Sequence, residues 1–154
     1  VIGTAGTREK AAVARANGVA HVIVGRDADI PGAVAELTGG RGVDFVIDGI
    51  GGDMLARSLG CARPFGLVAS IGWVAGAVPP IRIDDLGMVA LSKPSVMAYA
   101  ADRERYVWAG EAVIDAFGRG VVSSVGKTLG LADAAQAHAD LEAGRVSGCI
   151  ALLP

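Results

Sequence analysis

Aromatic side chains make up only 5% of the 154 residues, and histidine and cysteine occur twice each. Cys61 and Cys149 stand far apart, outside any Cys-x-x-Cys pair and away from a histidine cluster. That spacing excludes a disulfide scaffold and a closed zinc site, and it predicts a reducing, cytoplasmic setting. His21 opens an apolar run and His138 lies in an alanine-rich stretch, each without a second ligand at metal spacing, so packed or surface roles are expected and no metal. An excess of one charge is also missing. With 14 basic and 16 acidic residues, a net charge of -2 and no basic run, nothing offers a footprint for a phosphate backbone, so nucleic acid is not an expected partner. No apolar run approaches the ~20 residues that cross a bilayer, which argues against a membrane partner. What the chain has instead is apolar content. Hydrophobic residues reach 52% against 19% charged, in a chain long enough to bury about 70% of its unfolded surface around one core.

The apolar residues fall into a regular order. Val1 to Thr4 reads as a strand. Thr7 to Asn17 reads as a helix with Thr7 as N-cap and Gly18 as terminator, followed by a buried strand over His21 to Val24. Pro31 to Thr38 is expected as a helix with proline in its first turn, Gly39 to Gly42 as a turn, and Val43 to Asp48 as a β-branched strand. After the tight Gly49 to Gly52 loop come a helix over Asp53 to Ala62, with Cys61 inside it, and a strand over Leu67 to Ile71. These strands are apolar throughout rather than at alternate positions, which is what a parallel sheet covered by helices requires, so a doubly wound α/β fold is expected. Beyond Gly72 the rhythm loosens. Gly76 to Pro80 reads as a loop, Ile81 to Val89 is ambiguous, and Ser95 to Ala100 reads as a strand. A long helix follows over Asp102 to Phe117, with Tyr106, Val107, Val113, Ile114 and Phe117 available for packing. Then come a strand over Val125 to Leu129, a helix over Asp133 to Ala143 and a strand over Cys149 to Leu153.

Four segments carry a resemblance. They are Thr4 to Lys10 (TAGTREK), Leu37 to Asp44 (LTGGRGVD), Val46 to Gly52 (VIDGIGG) and Ala132 to His138 (ADAAQAH). In this order and spacing they resemble the medium-chain dehydrogenase/reductase superfamily, and most closely its zinc-independent quinone oxidoreductase branch, over nearly the whole chain. The resemblance implies an incomplete Rossmann-type doubly wound parallel sheet that lacks its first strand and Gly-rich loop. Residues 1–154 would form a partial dinucleotide-binding domain with a C-terminal return segment, and the family's N-terminal catalytic domain would be absent. A chain that opens directly on a strand-like run agrees with that expectation. In the family's strand order 3-2-1-4-5-6 the missing strand is central, so Val1 to Thr4 and Val43 to Asp48 should lose their shared neighbour.

The resemblance also implies a cofactor and its contacts. NAD-preferring relatives place an acidic residue at the end of the second strand, whereas this chain has Gly3 and Thr4 there, followed by Arg8 and Lys10. Lys10 matches a phosphate-binding lysine of the family, so NADPH is the expected cofactor of the complete protein; the alternative is that Arg8 and Lys10 are solvated helix charges. Arg26 replaces part of an Asn-Tyr pair found after the third strand in many relatives, and could stack on the base, pair with the phosphate, or stay in solvent. Gly49, Ile50 and Gly51, at the carboxyl end of a strand, together with Ile71, Gly72 and Trp73, are expected to line the nicotinamide side; a plain tight turn is the competing reading. Leu91 and Ser92, ahead of Lys93-Pro94, match a loop that passes beside the carboxamide. The Asp48-Gly49-Ile50-Gly51-Gly52 motif also resembles the acidic turn of methyltransferases that use S-adenosylmethionine, but that turn follows the first strand of its fold, whereas two β-α units precede this one.

No catalytic residue is assigned. The implied activity is hydride transfer from NADPH to a small-molecule acceptor such as a quinone or an α,β-unsaturated carbonyl. The alternative is a non-catalytic remnant or dimerisation module of the same fold. The Ser95 to Tyr99 run matches the edge strand through which relatives pair, so a homodimer through that strand is expected.

Overall fold

A computed structural model describes residues 1–121 and 125–154. The chain divides into two units, Val1–Val96 and Met97–Pro154. The first contains β1 (Ile2–Ala5), α1 (Arg8–Ala16), β2 (His21–Val24), α2 (Ile30–Leu37), β3 (Val43–Asp48), α3 (Met54–Leu59), β4 (Ala62–Ser70) and β5 (Ala90–Ser92).

Local chemistry sets the helix ends. Thr7 Oγ1 accepts the Lys10 N–H at 3.3 Å and starts α1, and Gly18 closes the following turn at φ +89°. Asp29 Oδ1 accepts the Gly32 N–H at 3.1 Å and Pro31 occupies the first turn of α2. At the other end of α2, Thr38 Oγ1 donates to Val34 O at 2.7 Å and accepts the Gly42 N–H at 2.9 Å, tying the helix to the turn that leads into β3.

All the pairings are parallel. β1 pairs with β2, and β3, β4 and β5 form a separate sheet in that order. β1 and β3 each have one strand neighbour among the described residues, and they do not pair with one another. Between them lies a cleft of about 590 Å³, bounded by Ile2, Gly3 and Thr4 on one side and by the length of β3 on the other. Phe45 and Ile47, apolar residues of β3 that line this cleft, remain 50% and 63% exposed.

The core lies in two clusters. Ile30 and Val34 of α2 pack with Cys61 against Ile2, Ile23, Val43, Val46 and Met54. Leu55 and Leu59 of α3 pack on Val68, which is fully buried in β4, with Val46 and Leu91 beside them. Burying side chains of this size contributes about 1.5–3 kcal/mol each, which fixes α2 and α3 on the strands they cover.

Several boundaries differ from the sequence expectation. α3 stops at Leu59 rather than Ala62, and Cys61 therefore lies outside the helix, still buried, with its thiol donating to Arg57 O at 3.3 Å. β4 starts at Ala62 rather than Leu67 because its pairing with β3 jumps from Val43↔Ala62 to Phe45↔Leu67, and Pro64 to Gly66 bulge between. Phe65 adopts φ +64° in that bulge, and its N–H donates to Met88 O at 2.8 Å. The ambiguous stretch holds a 3₁₀ turn over Ile83–Leu86. Leu91 and Ser92, expected in a loop, lie in β5, where they pair with Val68 and Ala69.

The strand expected over Ser95 to Ala100 is replaced by α4 (Val96–Ala100), so the structure contradicts pairing through an extended 95–99 edge. An edge strand without a partner leaves backbone groups open, whereas a helix satisfies them within the segment, and Met97, Ala98 and Ala100 favour it. The Ala101 N–H continues the pattern by donating to Met97 O at 3.1 Å.

The second unit contains α5 (Arg103–Gly118), β6 (Val125–Gly130), α6 (Ala134–Glu142) and β7 (Cys149–Leu153), with β6 and β7 parallel. Asp102 caps α5 by accepting the Glu104 and Arg105 N–H groups, each at 3.0 Å. Tyr106, Val107, Val113, Ile114 and Phe117, expected to pack, are all exposed. Within this unit the buried Asp140 carboxylate accepts from Lys127 Nζ at 2.6 Å, Gln136 Nε2 at 2.7 Å and Arg145 Nη2 at 2.8 Å. Among the described residues, no helix is long and apolar enough to cross a membrane.

Candidate functional site

The carboxyl end of β3 is built around a carboxylate. Asp48 is 3% exposed, and its Oδ1 accepts the Ile50 N–H at 2.8 Å and the Gly51 N–H at 2.9 Å, which folds the Gly49 to Gly52 turn back over the strand end. Its other oxygen, Oδ2, is buried and has no hydrogen-bond partner among the described residues. A buried acceptor left unpaired costs about 1–3 kcal/mol, so this oxygen asks for a donor. Asp48 also lines the cleft between β1 and β3. Asp48 carries no expected role in the sequence; the signal for one is an acidic side chain closing an apolar strand directly ahead of a glycine turn.

The turn is locked to the segment after β4. The Ile71 N–H donates to Asp48 O and the Ala75 N–H to Ile50 O, both at 2.8 Å. Backbone meets backbone here. A Cβ on Gly51 would lie 2.8 Å from Gly72 O, and one on Gly72 would lie 2.3 Å from Gly49 O. Gly51 and Gly72 are therefore required for loop-on-loop packing, whereas a Cβ on Gly49 meets nothing within 4 Å and faces open space.

Gly49, Ile50, Gly51, Ile71, Gly72 and Trp73 thus gather at the ends of β3 and β4, with Ser92 and Leu91 beside them on β5. Gly3 and Thr4 face this group across the cleft and share its lining with Gly49 and Ile50. A Cβ on Gly3 would press Val19 Cγ1 at 3.1 Å, so packing against the α1–β2 connection also keeps that residue small. Arg8, Lys10 and Arg26 stand apart. They follow the carboxyl ends of β1 and β2, which are held side by side by the Ala5↔Val24 pairing and by the Gly25 N–H donating to Ala5 O at 2.9 Å. Arg8 and Arg26 are exposed and Lys10 is half-buried, and none of the three carries an ion pair among the described residues.

Trp73 is 71% exposed, and the Lys93 ammonium lies 5.8 Å from its ring centroid. Both line a second cavity of about 590 Å³ at the ends of β4 and β5. His21 and His138 are exposed, and no group of three or more His, Cys, Asp or Glu side chains placed to hold a metal occurs among the described residues.

Comparison with known proteins places this arrangement. The family model for zinc-binding dehydrogenases matches residues 1–113. A 2-haloacrylate reductase from a Burkholderia species is 41% identical over the whole of this chain, which covers 48% of that protein. Quinone oxidoreductase 1 of Escherichia coli is 33% identical, with the chain covering 49% of it. The chain spans about half the length of the curated relatives it matches. Among solved structures, a mycobacterial protein complexed with NADPH superposes with a TM-score of 0.92 at 35% identity, over the whole of this chain and 50% of that one. Escherichia coli quinone oxidoreductase complexed with NADPH gives 0.90 at 33% identity, over 99% of this chain and 49% of that one. The chain belongs to the zinc-binding dehydrogenase family, and within it to the quinone oxidoreductase-like branch of the medium-chain dehydrogenase/reductase superfamily.

Proposed function

We propose that this chain is the cofactor-binding part of an NADPH-dependent oxidoreductase that transfers hydride to a quinone or an α,β-unsaturated carbonyl compound. The observation that carries the reading is the Asp48 Oδ2 atom, buried and unpartnered, on a cleft left open between two strands at the carboxyl edge of a parallel sheet. One further strand with a turn at its end fits that cleft. It would pair with the free edges of β1 and β3 and bring backbone N–H groups to Asp48 and to a pyrophosphate. The relatives, about twice as long, have chain from which such a strand could come.

The residues present fit a dinucleotide. Arg8 and Lys10, without carboxylate partners among the described residues and directly after β1, would neutralise a 2′-phosphate, and Gly3 and Thr4 offer no carboxylate to repel it. Arg26 at the end of β2 would lie against the adenine end. Gly49 admits the cofactor to the main chain, while Ile50, Ile71 and Trp73 supply apolar surface that keeps water from the nicotinamide end. When bound, the cofactor supplies the hydride. The chain's own part is orientation, charge neutralisation and exclusion of solvent. We also propose that the complete protein pairs with a second copy, with the exposed apolar side chains of α4 and α5 in the contact.

Titrating the full-length protein and the 154-residue chain with NADPH and NADH tests the reading. The full-length protein is expected to bind NADPH more tightly than NADH, and the chain alone to bind either weakly. Equal affinity for the two, or no binding by the full-length form, overturns it.

A further inference from the structure

α3 is joined to the Gly49 to Gly52 turn at its start, where the Met54 N–H donates to Gly51 O at 3.1 Å and the Leu55 N–H to Gly52 O at 3.3 Å. Further along the helix, the half-buried Arg57 reaches a distant part of the chain. Its Nη1 donates to Arg26 O at 3.3 Å and its Nη2 donates to Ala28 O. These carbonyls belong to the connection between β2 and α2, whose two ends are fixed by other contacts. At one end the Gly25 N–H donates to Ala5 O at 2.9 Å, with Gly25 at φ +115°, and at the other Asp29 accepts the Gly32 N–H at 3.1 Å. Arg57 fastens what lies between. A guanidinium carries its N–H groups in a rigid planar fork, so two carbonyls held at once set both the position and the direction of the main chain. Asp27 and Asp29 stand in the same connection, yet Arg57 forms no ion pair among the described residues. Its donors serve the backbone.

We propose that Arg57 is a positioning residue for the adenine end of the cofactor: it holds the connection after β2 so that the exposed Arg26 side chain is aimed over the adenine ring. The inference rests on the cofactor reading above and adds to it a residue that acts through Arg26. Without the two hydrogen bonds the Arg26 main chain would move between its end anchors, and ordering it again on binding would cost affinity. Arg57 grips Arg26 by its carbonyl oxygen, so truncating the Arg26 side chain leaves both hydrogen bonds in place. Holder and held group are therefore separable by mutation. Only the placement of one side chain is at stake, so removing Arg57 costs no more than removing the Arg26 side chain itself, and removing both costs no more than removing Arg26 alone. Adenine is common to NADPH and NADH, so the loss falls on both alike.

The test is a double-mutant cycle in the full-length protein. The parent, Arg26→Ala, Arg57→Ala and the double variant are titrated calorimetrically with NADPH, NADH and 2′,5′-ADP, the last of which carries the adenosine half alone. Each single variant is expected to weaken all three about threefold to tenfold, the range for one cation stacked on a ring. The double variant should bind as Arg26→Ala does. Should Arg57→Ala fail to fold, Arg57→Lys, which keeps the charge and loses the fork, takes its place in the cycle with the same expected result. Parent-like binding by either single variant overturns the proposal, and so does a double variant whose loss is the product of the two single losses. A loss confined to NADPH and 2′,5′-ADP also overturns it, because Arg26 would then serve the 2′-phosphate. These three results leave the cofactor reading standing. A parent that binds neither NADPH nor 2′,5′-ADP overturns that reading, and this inference with it.

Discussion

The Gly51 amide and the Asp48 carboxylate are 2.9 Å apart, and this contact closes the turn at the end of β3 while leaving the second carboxylate oxygen buried and unpaired. One oxygen serves the fold and the other is held in reserve. Asp48→Ala should destabilise the protein by about 1–3 kcal/mol in urea unfolding, through two lost acceptor contacts in a buried place. Asp48→Asn can keep the Oδ1 contacts but turns the unpaired acceptor into a donor. It should fold nearly as well as the parent while losing NADPH affinity, and equal affinity would show that Oδ2 has no part in organising the site.

Three neighbouring glycines should separate packing from ligand approach. Gly72→Ala puts a Cβ 2.3 Å from Gly49 O and Gly51→Ala puts one 2.8 Å from Gly72 O, so each must push two backbones apart, and Gly51 also sits at φ +70°. Each is expected to lower stability by about 1–3 kcal/mol, the usual range for overpacking. Gly49→Ala meets no atom within 4 Å. Its melting temperature should stay near that of the parent while NADPH binding weakens, as read by calorimetric titration. An unchanged affinity would remove Gly49 from the cofactor path.

Replacing Lys10 by Ala should weaken NADPH binding about tenfold to a hundredfold, the value of one hydrogen bond to a charged group, and leave NADH binding unchanged. Arg8→Ala is expected to act in the same direction. If both variants keep the parent's preference, these residues are ordinary solvated helix charges.

Acid should strike the second unit through Asp140. Hydrogen bonds from Lys127 first, then from Arg145 and Gln136, hold its carboxyl well below the usual carboxylate range. A carboxyl that is more acidic in the folded state adds stability above its unfolded value, near 4, and that stability fades as pH falls toward the folded value. Thermal melts from pH 6 downward should show this loss in the parent, and Asp140→Asn should flatten the slope. The same slope in both proteins would refute the assignment.

Much of the first unit could be read locally. Thr7, Gly18 and Pro31 act on backbone groups within a turn of themselves, so α1 and α2 were legible from neighbouring residues, whereas the Asp29 cap emerged only in the structure. β3 was legible because Val43, Phe45, Val46 and Ile47 form an apolar, partly β-branched run between turn signals. The start of β4 was not, since the Pro64 to Gly66 bulge exists only because Phe45 pairs with Leu67 across the sheet. The Ser95 to Ala100 run differs for a related reason: Val96, Met97 and Tyr99 suit a strand, but among the described residues no strand lies paired with it. Of the site, residue identities at the strand ends were visible. Which glycines face a backbone and which face space was not.

By itself the sequence determined the order of strands and helices as far as β4, the Thr7 and Asp102 caps, the parallel class of sheet and the family resemblance, because each depends on residue types acting over short spans. Tertiary structure alone decided which side chains line the cleft between β1 and β3, that one oxygen of Asp48 has no donor among the described residues, and that Lys93 stands over Trp73. Burial, open edges and unpaired charge are set by residues far apart in the chain, and no periodicity along it encodes which of them meet.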